Sequence, residues 1–196
     1  MVSPLDTSGN PNRACFLDRD GVLIEDAHYL SSPDQVRLMP GISGSLRRLR
    51  QEGYLLIVVT NQSGVARGVF PEDAIPAVHQ RIDDLLAAEG AGIDAYYYCP
   101  HHVEGTVKRY ARSCSCRKPE PGMLLAAATD YRLDLGASFL IGDKLSDLQA
   151  AEKAGCAGYL VETGHGREYA ERGRAAGIPV VADAVSAVDA FLETAR

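Results

Sequence analysis

A chain of 196 residues, 46% of them hydrophobic, is long enough to bury one α/β core without disulfide bonds. Its net charge of −6 argues against a general nucleic-acid or anionic-membrane binder, because such proteins normally carry a basic surplus. The longest clean apolar run, LLIVV at 55–59, is far shorter than the roughly 18 residues that cross a bilayer, so it indicates a buried strand.

The chain begins with the polar segment MVSPLDTSGNPNRA, which lacks the basic head and the apolar centre of a secretory signal. We expect residues 1–13 to form a flexible lead-in. Residues 14–196 are expected to form a single domain of a cytoplasmic protein.

Runs rich in β-branched or aromatic residues alternate with helical patterns along the rest of the chain. The predicted strands are 14–18, 55–60, 95–99, 138–142, 158–161 and 179–181. The predicted helices, with apolar residues three and four apart, are 42–52, 72–89, 122–130, 145–154 and 184–194. This alternation predicts an α/β fold with a parallel sheet and helices on both faces.

The stretch FLDRDG at 16–21 has Asp18 and Asp20 two residues apart, directly after the first strand. Carboxylates this close repel each other unless a cation lies between them, and Mg²⁺ accepts such ligands together with a phosphate. Asp18 could then attack phosphorus, while Asp20 protonates the leaving group and later activates water. Gly21 would permit the sharp turn. The alternative is that both carboxylates are ordinary turn residues.

Other strand ends and one loop also carry suitable groups, and in such folds the active site lies at the carboxyl ends of the strands. Thr60 and Asn61 begin the loop TNQSGVARG, whose donors suit a phosphoryl group, although any βα loop uses these residue types. Asp143 ends the fourth strand as a candidate third metal ligand, and Lys144 follows it towards the substrate. Lys118 either neutralises a phosphoryl group or is a solvated surface lysine.

Three of the five cysteines lie within the irregular stretch that begins at the end of the third strand. The pairs Cys99 with His101 and Cys114 with Cys116 are enough for a closed, four-coordinate structural zinc site. Free cysteines are the alternative, because Cys114 and Cys116 are too close to form a comfortable disulfide with each other. The remaining two cysteines have apolar neighbours and are predicted core residues: Cys15 and Cys156.

The same stretch is strongly basic within an acidic chain, with five cations between residues 108 and 118: Lys108, Arg109, Arg112, Arg117 and Lys118. Such a loop could bind nucleic acid or a second anionic group on a small substrate. We favour the small substrate, because only Tyr110 offers an aromatic ring for base stacking.

Together, DRDG at 18–21, TNQSG at 60–64, CRKP at 116–119 and GDK at 142–144 resemble the haloacid dehalogenase (HAD) superfamily of aspartate-nucleophile phosphatases. The four motifs follow in the expected order over most of the chain. The strings YYYCPHH, KPEPGML and GDKLSD resemble the branch that contains heptose-bisphosphate phosphatases and histidinol-phosphatases, and they are nearest to the former.

The resemblance implies a Rossmann-like fold with no large cap domain and a zinc-stapled loop. It implies four catalytic residues, namely the nucleophile Asp18, the acid/base Asp20, and Thr60 and Lys118, which steady the phosphoryl group. It implies Mg²⁺ held by Asp18, Asp143 and the backbone carbonyl of Asp20. The implied substrate contacts are Arg19, Asp26, His28, Tyr29, Asn61, Gln62, Ser63, Arg117 and Lys144. The implied zinc ligands are Cys99, His101, Cys114 and Cys116.

The implied reaction is Mg²⁺-dependent removal of the 7-phosphate of D-glycero-D-manno-heptose 1,7-bisphosphate through an aspartyl-phosphate, in heptose synthesis for a cell-surface glycan. Hydrolysis of histidinol phosphate is the nearest alternative. A non-catalytic zinc-dependent binding protein is a weaker alternative. Such a protein could dispense with four residues that are all present here: Asp18, Asp20, Lys118 and Asp143. The resemblance further implies a monomer that acts on a small molecule, with no nucleic-acid or membrane partner.

Overall fold

The computed structural model describes residues 11–194, so most of the predicted lead-in lies outside the described residues. Six strands form one sheet: β1 Arg13–Leu17, β2 Tyr54–Asn61, β3 Ala95–Cys99, β4 Phe139–Gly142, β5 Ala157–Val161 and β6 Val180–Val181. Their order is β3-β2-β1-β4-β5-β6, and every neighbouring pair is parallel. The prediction of a parallel sheet is confirmed.

A short 3₁₀ helix at Pro33–Gln35 and seven α-helices connect and follow the strands. The α-helices are α1 Ile42–Gln51, α2 Ser63–Ala66, α3 Ala74–Ala88, α4 Gly122–Tyr131, α5 Leu145–Ala154, α6 Gly166–Ala175 and α7 Ala184–Thr194. Every predicted strand and helix is present, with ends within two residues of the predicted ones. The sequence patterns did not predict α2 and α6.

The buried sheet has two apolar faces, because successive side chains of a strand point to opposite sides. Leu17 and Val58 lie in the apolar cluster that α1, α3 and α7 complete on one face. Phe16 and Ile57 lie in the cluster that α4 and α5 complete on the other. Burying a side chain of this size stabilises the fold by about 1.5–3 kcal/mol, so the doubly covered sheet holds the strand ends rigidly.

The strand order reverses between β1 and β4. The chain runs outward from β1 through β2 to β3, then returns to the other side of β1 and continues from β4 to β6. Leu17 pairs with Ile141, and the Asp18 N–H donates to the Ile141 carbonyl at 3.0 Å. Open α/β sheets bind ligands in the crevice at such a reversal, and this crevice lies beside Asp18 and Asp143.

Among residues 11–194, none of the helices has the length and the apolar character that crossing a membrane requires.

Candidate active site

Three carboxylates meet at the carboxyl ends of β1 and β4. Oxygens of Asp18, Asp143 and Asp147 all lie within 4.8 Å of one another, and all three residues are buried. Burial and the nearby charge of Asp18 raise the pKa of Asp143 to about 7. Burial also raises the pKa of Asp147. The cluster therefore resists carrying its full negative charge without a cation.

Lys118 reaches this cluster from the segment before α4. Its Nζ lies 2.6 Å from Asp147 Oδ1 and 3.1 Å from Asp18 Oδ1, and it donates to the Val59 carbonyl at 2.7 Å. Burial lowers the pKa of Lys118, but the two carboxylates together raise it further, so the net pKa lies above its ordinary value. Lys118 is only 2% exposed, so the alternative of a solvated surface lysine is wrong.

The carboxylate cluster fits Mg²⁺. The charge of Asp147 is taken up by Lys118, which leaves Asp18 and Asp143 as converging oxygen ligands of the kind that this hard cation prefers. Asp143 Oδ2 accepts the His165 N–H at 2.8 Å, and Oδ1 lies 3.3 Å from Lys144 Nζ, so its carboxylate is fixed in orientation. The excess negative charge of the cluster and its carboxylate oxygen ligands both match a divalent cation.

Gly21 is required where the loop after β1 turns. Its φ is +82°, in the left-handed region that favours glycine. A Cβ here would lie 2.7 Å from Asp143 Oδ2 and 2.9 Å from Gly164 Cα. The Gly21 carbonyl accepts the Thr163 hydroxyl at 2.6 Å, so the turn is tied to the loop after β5.

Asp20 lies outside the carboxylate cluster and is oriented by two neighbours. The Arg19 guanidinium donates to it through Nε at 3.2 Å and Nη2 at 3.1 Å, and Gln62 Nε2 donates at 3.0 Å. Gln62 Nε2 also contacts Thr60 Oγ1 at 2.8 Å. The side chain of Asp20 is 20% exposed, which leaves it accessible from the mouth of the site.

Asn61 joins the loop after β2 to the segment that carries Lys118. Its Nδ2 donates to the Lys118 carbonyl at 3.0 Å, and the Lys118 N–H donates to Asn61 Oδ1 at 3.1 Å. This reciprocal pair fixes the Lys118 backbone at the edge of the sheet. The Asn61 amide is therefore engaged with the protein itself.

A polar cavity of about 350 Å³ opens above these groups. Eight of the nine predicted substrate contacts line it: Arg19, Asp26, His28, Tyr29, Asn61, Gln62, Ser63 and Lys144. Among the described residues, Arg117 is the predicted contact that is not part of the lining. Its Nη1 donates to the His101 carbonyl at 3.2 Å, beside the zinc-ligand cluster.

Sequence reasoning missed His165 and the ion pair of Asp147 with Lys118. His165 lines the cavity, and its N–H donates to Asp143. The signal was available, because His165 follows β5 at the same edge of the sheet as the other polar strand ends. Asp147 Oδ2 accepts the Lys144 N–H at 2.9 Å while Oδ1 contacts Lys118, a pairing that spacing along the chain does not reveal.

The predicted zinc ligands come together as a second cluster. The Sγ atoms of Cys99, Cys114 and Cys116 are 3.1, 3.2 and 3.4 Å apart, and His101 Nδ1 lies 3.7 Å from Cys99 and 3.5 Å from Cys116. Zinc with sulfur ligands at about 2.3 Å would hold them about 3.8 Å apart, so a small outward relaxation accommodates the ion. Three thiols and one imidazole fit a closed structural zinc site.

Comparisons with known proteins identify the family. A family model described as HAD-hydrolase-like matches residues 115–188. A D-glycero-beta-D-manno-heptose-1,7-bisphosphate 7-phosphatase from Rhodopseudomonas palustris is 47% identical over 157 residues, which cover 80% of this chain and 87% of that protein. The chain belongs to the heptose-bisphosphate phosphatase family of HAD-like hydrolases.

Other members of the family extend the similarity over more of the chain. The heptose-bisphosphate phosphatase of Salmonella typhi is 40% identical over 182 residues, covering 92% of this chain and 90% of that protein. The crystal structure of a D,D-heptose 1,7-bisphosphate phosphatase from B. bronchiseptica, complexed with magnesium and phosphate, superposes with a TM-score of 0.82. It is 38% identical and covers 93% of this chain and 99% of that chain. The predicted superfamily and Rossmann-like fold are confirmed, and the four predicted zinc ligands form a cluster that fits a structural zinc site.

Proposed function

We propose that this chain removes the 7-phosphate of D-glycero-D-manno-heptose 1,7-bisphosphate through an aspartyl-phosphate on Asp18. The observation that carries the proposal is the position of Asp18. Its carboxylate lies between Lys118 and Asp143 at the crevice of the sheet, beneath a polar cavity whose lining includes Asp20. The substrate is that of the family members named above.

In the first step, a carboxylate oxygen of Asp18 attacks phosphorus and the bond from phosphorus to the sugar oxygen breaks. Lys118 and the Arg19 N–H, which donates to Asp18 Oδ1 at 2.8 Å, fix the orientation of the attacking carboxylate. Thr60 and Lys118 donate to the phosphoryl oxygens. The Asp20 carboxyl gives its proton to the departing sugar oxygen.

In the second step, Asp20 accepts a proton from the water that attacks the phosphoryl group. The phosphate leaves and Asp18 is regenerated, so the atoms balance over the two displacements. Arg19 and Gln62 hold Asp20 for both proton transfers. Bound by Asp18, Asp143 and the Asp20 carbonyl, Mg²⁺ supplies positive charge that offsets the negative charge of the phosphoryl group.

The cavity lining supports a polar sugar as the leaving group. Hydrogen-bonding groups for the hydroxyls of a sugar come from Asp26, His28, Tyr29 and Lys144. Gln62 and Ser63, which follow β2, line the same cavity. Arg117, on the loop that carries the zinc ligands, is our candidate for binding the second phosphate. A bisphosphate would thus extend from the carboxylate cluster across the cavity towards the basic loop.

We further propose that the chain acts as a monomer in the cytoplasm, on a small molecule rather than on nucleic acid. None of its five cysteines forms a disulfide, which is consistent with a reducing compartment. The acidic net charge of −6 argues against a nucleic-acid partner.

The test of the substrate is kcat/KM for phosphate release in the presence of Mg²⁺. The α and β anomers of heptose 1,7-bisphosphate and histidinol phosphate should be compared in parallel, because the ratio of specificity constants is what separates substrates. We expect the highest value for one heptose anomer. A higher value for histidinol phosphate would overturn the substrate assignment while leaving the chemistry intact.

A further inference from the structure

A third cluster of possible metal ligands lies at the rim of the catalytic cavity. Asp26 and His28, in the loop after β1, meet His165, which directly precedes α6, and one ligand atom of each lies within 4.8 Å of the other two. His165 Nε2 is 3.2 Å from Asp26 Oδ2, and the two imidazole rings are 6.1 Å apart, centre to centre. The proposed proton transfers use neither imidazole.

The backbone before α1 holds two of these groups in place. Asp26 Oδ1 accepts the His28 N–H at 2.9 Å, which leaves Oδ2 directed towards His165. His28 and the following Tyr29 both have a positive φ, at 43° and 42°. The left-handed backbone conformation costs free energy for residues with large side chains, so contacts with the surrounding protein must hold His28 and Tyr29 in it.

The second nitrogen of His165 has a carboxylate partner of its own. Nδ1 lies 3.1 Å from Oε1 of Glu168, within the first turn of α6. Histidines that bind metals commonly donate their other ring N–H to a carboxylate, which fixes the tautomer and directs the free lone pair at the ion. Here Nε2 lies 3.2 Å from Asp26 Oδ2, a separation that two neighbouring ligands of one ion have when each bond to the metal is about 2.0–2.2 Å.

The geometry points to a divalent transition-metal site formed by Asp26, His28 and His165, separate from the magnesium and zinc sites. Two imidazoles and one carboxylate with open positions suit ions such as Ni²⁺ or Zn²⁺, whereas Mg²⁺ prefers oxygen ligands alone. The same three residues line a second cavity of about 610 Å³, which gives an ion access from solvent.

An ion bound here would join the loop after β1 to the start of α6 across the mouth of the catalytic cavity. It would occupy Asp26 and His28, two of the side chains proposed to contact the sugar. The ion would therefore inhibit competitively, raising KM with kcat unchanged. This consequence rests on the proposed function, whereas the binding of the ion does not.

The test is calorimetric titration of untagged, zinc-loaded protein with NiCl₂ in saturating Mg²⁺. We expect a single Ni²⁺ per chain in the wild type and none at this site in His165→Asn, which keeps the backbone N–H to Asp143. Glu168→Gln should weaken Ni²⁺ binding about tenfold or more, because it removes the carboxylate behind the imidazole. The matched control is Glu171→Gln, an exposed carboxylate on the same helix, which should bind Ni²⁺ as the wild type does.

Unchanged Ni²⁺ binding in His165→Asn, with an unchanged melting temperature, would overturn the proposal. So would the absence of binding in the wild type, which would mean that His165 contacts the Asp26 and Glu168 carboxylates without a metal ion. If His165→Asn does not fold, the affinity of Glu168→Gln for Ni²⁺ is the deciding measurement. The Glu168 side chain is exposed, so its replacement is not expected to disturb folding. If Ni²⁺ binds but does not raise KM, the metal site stands and the placement of the sugar at Asp26 and His28 is wrong.

Discussion

At the residue scale, the ion pair of Lys118 with Asp147 has both a structural and a chemical consequence. Both side chains are 1% exposed, so neither charge can be stabilised by water if its partner is removed. Lys118 also contacts Asp18, which makes it part of the proposed chemistry. Stability and turnover therefore both depend on the Lys118 ammonium group. The two effects can be separated by a second mutation that also removes the charge of Asp147.

We predict that Lys118→Ala lowers the free energy of unfolding by about 3–5 kcal/mol, because it leaves a buried carboxylate unpaired. The double variant Lys118→Met with Asp147→Leu should recover most of that stability but none of the phosphatase activity. Denaturant unfolding and kcat measure the two effects. The control Lys153→Ala breaks an exposed ion pair with Glu120 and should cost less than about 1 kcal/mol. Recovery of turnover in the double variant would contradict the role of Lys118.

His79 is predicted to make the fold sensitive to acid. Burial, with a contribution from Arg19, lowers the pKa of His79 to about 3, and its ring stacks on Tyr96 with centroids 4.2 Å apart. In the unfolded chain its pKa returns to about 6.5. The neutral ring is therefore favoured in the fold, and its contribution to stability is complete above about pH 6.5 and is lost as the pH falls towards about 3.

From pH 7 to pH 5, this group alone should reduce the free energy of unfolding by about 2 kcal/mol, at about 1.36 kcal/mol per pKa unit. His79→Phe keeps a stacked ring and removes the titration. Its unfolding free energy should fall less over the same interval, and other titrating groups cancel in the comparison with the wild type. An equal loss in both proteins would mean that His79 is protonated in the folded state.

Arg117 is predicted to recognise the second phosphate rather than the one that is transferred. Arg117→Ala should raise KM for the bisphosphate by about tenfold or more, because a charged hydrogen bond contributes about 1.5–3 kcal/mol. KM for heptose 7-phosphate should change little. Arg109→Ala, which removes an exposed cation from the same loop, is the matched control. An equal effect of Arg117→Ala on both substrates would contradict this assignment.

The sequence was most informative where one residue type permits one kind of chemistry. Asp18 and the zinc ligands were predicted because paired carboxylates and paired metal-ligating side chains indicate bound ions. Asp143 was predicted because it ends a strand at the same edge of the sheet. Asp147 and His165 were harder to predict. Asp147 has the sequence position of a helix cap, and its contact with Lys118 arises only when the start of α5 and the segment before α4 meet in space.

At the element scale, the zinc-ligand cluster orders a segment of the chain that has no helix or strand of its own. Among the described residues 100–121 there is no helix or strand, yet this segment carries Arg117 and Lys118 to the site. Hydrogen bonds from the Thr106 and Val107 N–H groups to the Ala66 carbonyl anchor its middle. The four metal ligands hold its two ends together, since Cys99 and His101 lie at its start and Cys114 and Cys116 near its end.

Removing zinc should therefore loosen the segment that carries Lys118. We predict that chelation, or Cys114→Ser, lowers Tm and raises KM, because the closed loop loses the metal bonds that constrain it. Cys156→Ser, a buried cysteine outside the cluster, should retain the zinc content of the wild type. Differential scanning calorimetry with metal analysis is the measurement. An unchanged Tm in protein proved free of zinc would contradict the structural role.

The two helices that sequence patterns missed share a physical explanation. The helix α2 has four residues, too few for a periodic pattern to emerge. The helix α6 buries only Gly166, Ala170 and Gly173, so it has no stripe of large apolar residues. A Cβ at Gly173 would lie 2.9 Å from a Leu160 side-chain atom, so this helix packs close to the sheet through its small residues.

At the scale of the whole molecule, the doubly wound sheet brings distant motifs to one edge. The alternation of strands and helices predicted the parallel sheet and the shared edge, because right-handed crossovers between parallel strands leave few other arrangements. It did not predict which strand ends are neighbours. That follows from the reversal between β1 and β4, which makes Asp18 and Asp143 adjacent.

The most direct test of the account is to find the phosphoryl group on Asp18. Asp20→Asn should be mixed with p-nitrophenyl phosphate, whose leaving group needs no proton, then quenched in acid and digested for mass spectrometry. We predict that the phosphoryl group accumulates on Asp18, because the variant lacks the base that activates water for the second step. Asp18→Asn should show neither label nor turnover. A phosphoryl group on another residue, or continued turnover in Asp18→Asn, would contradict the account.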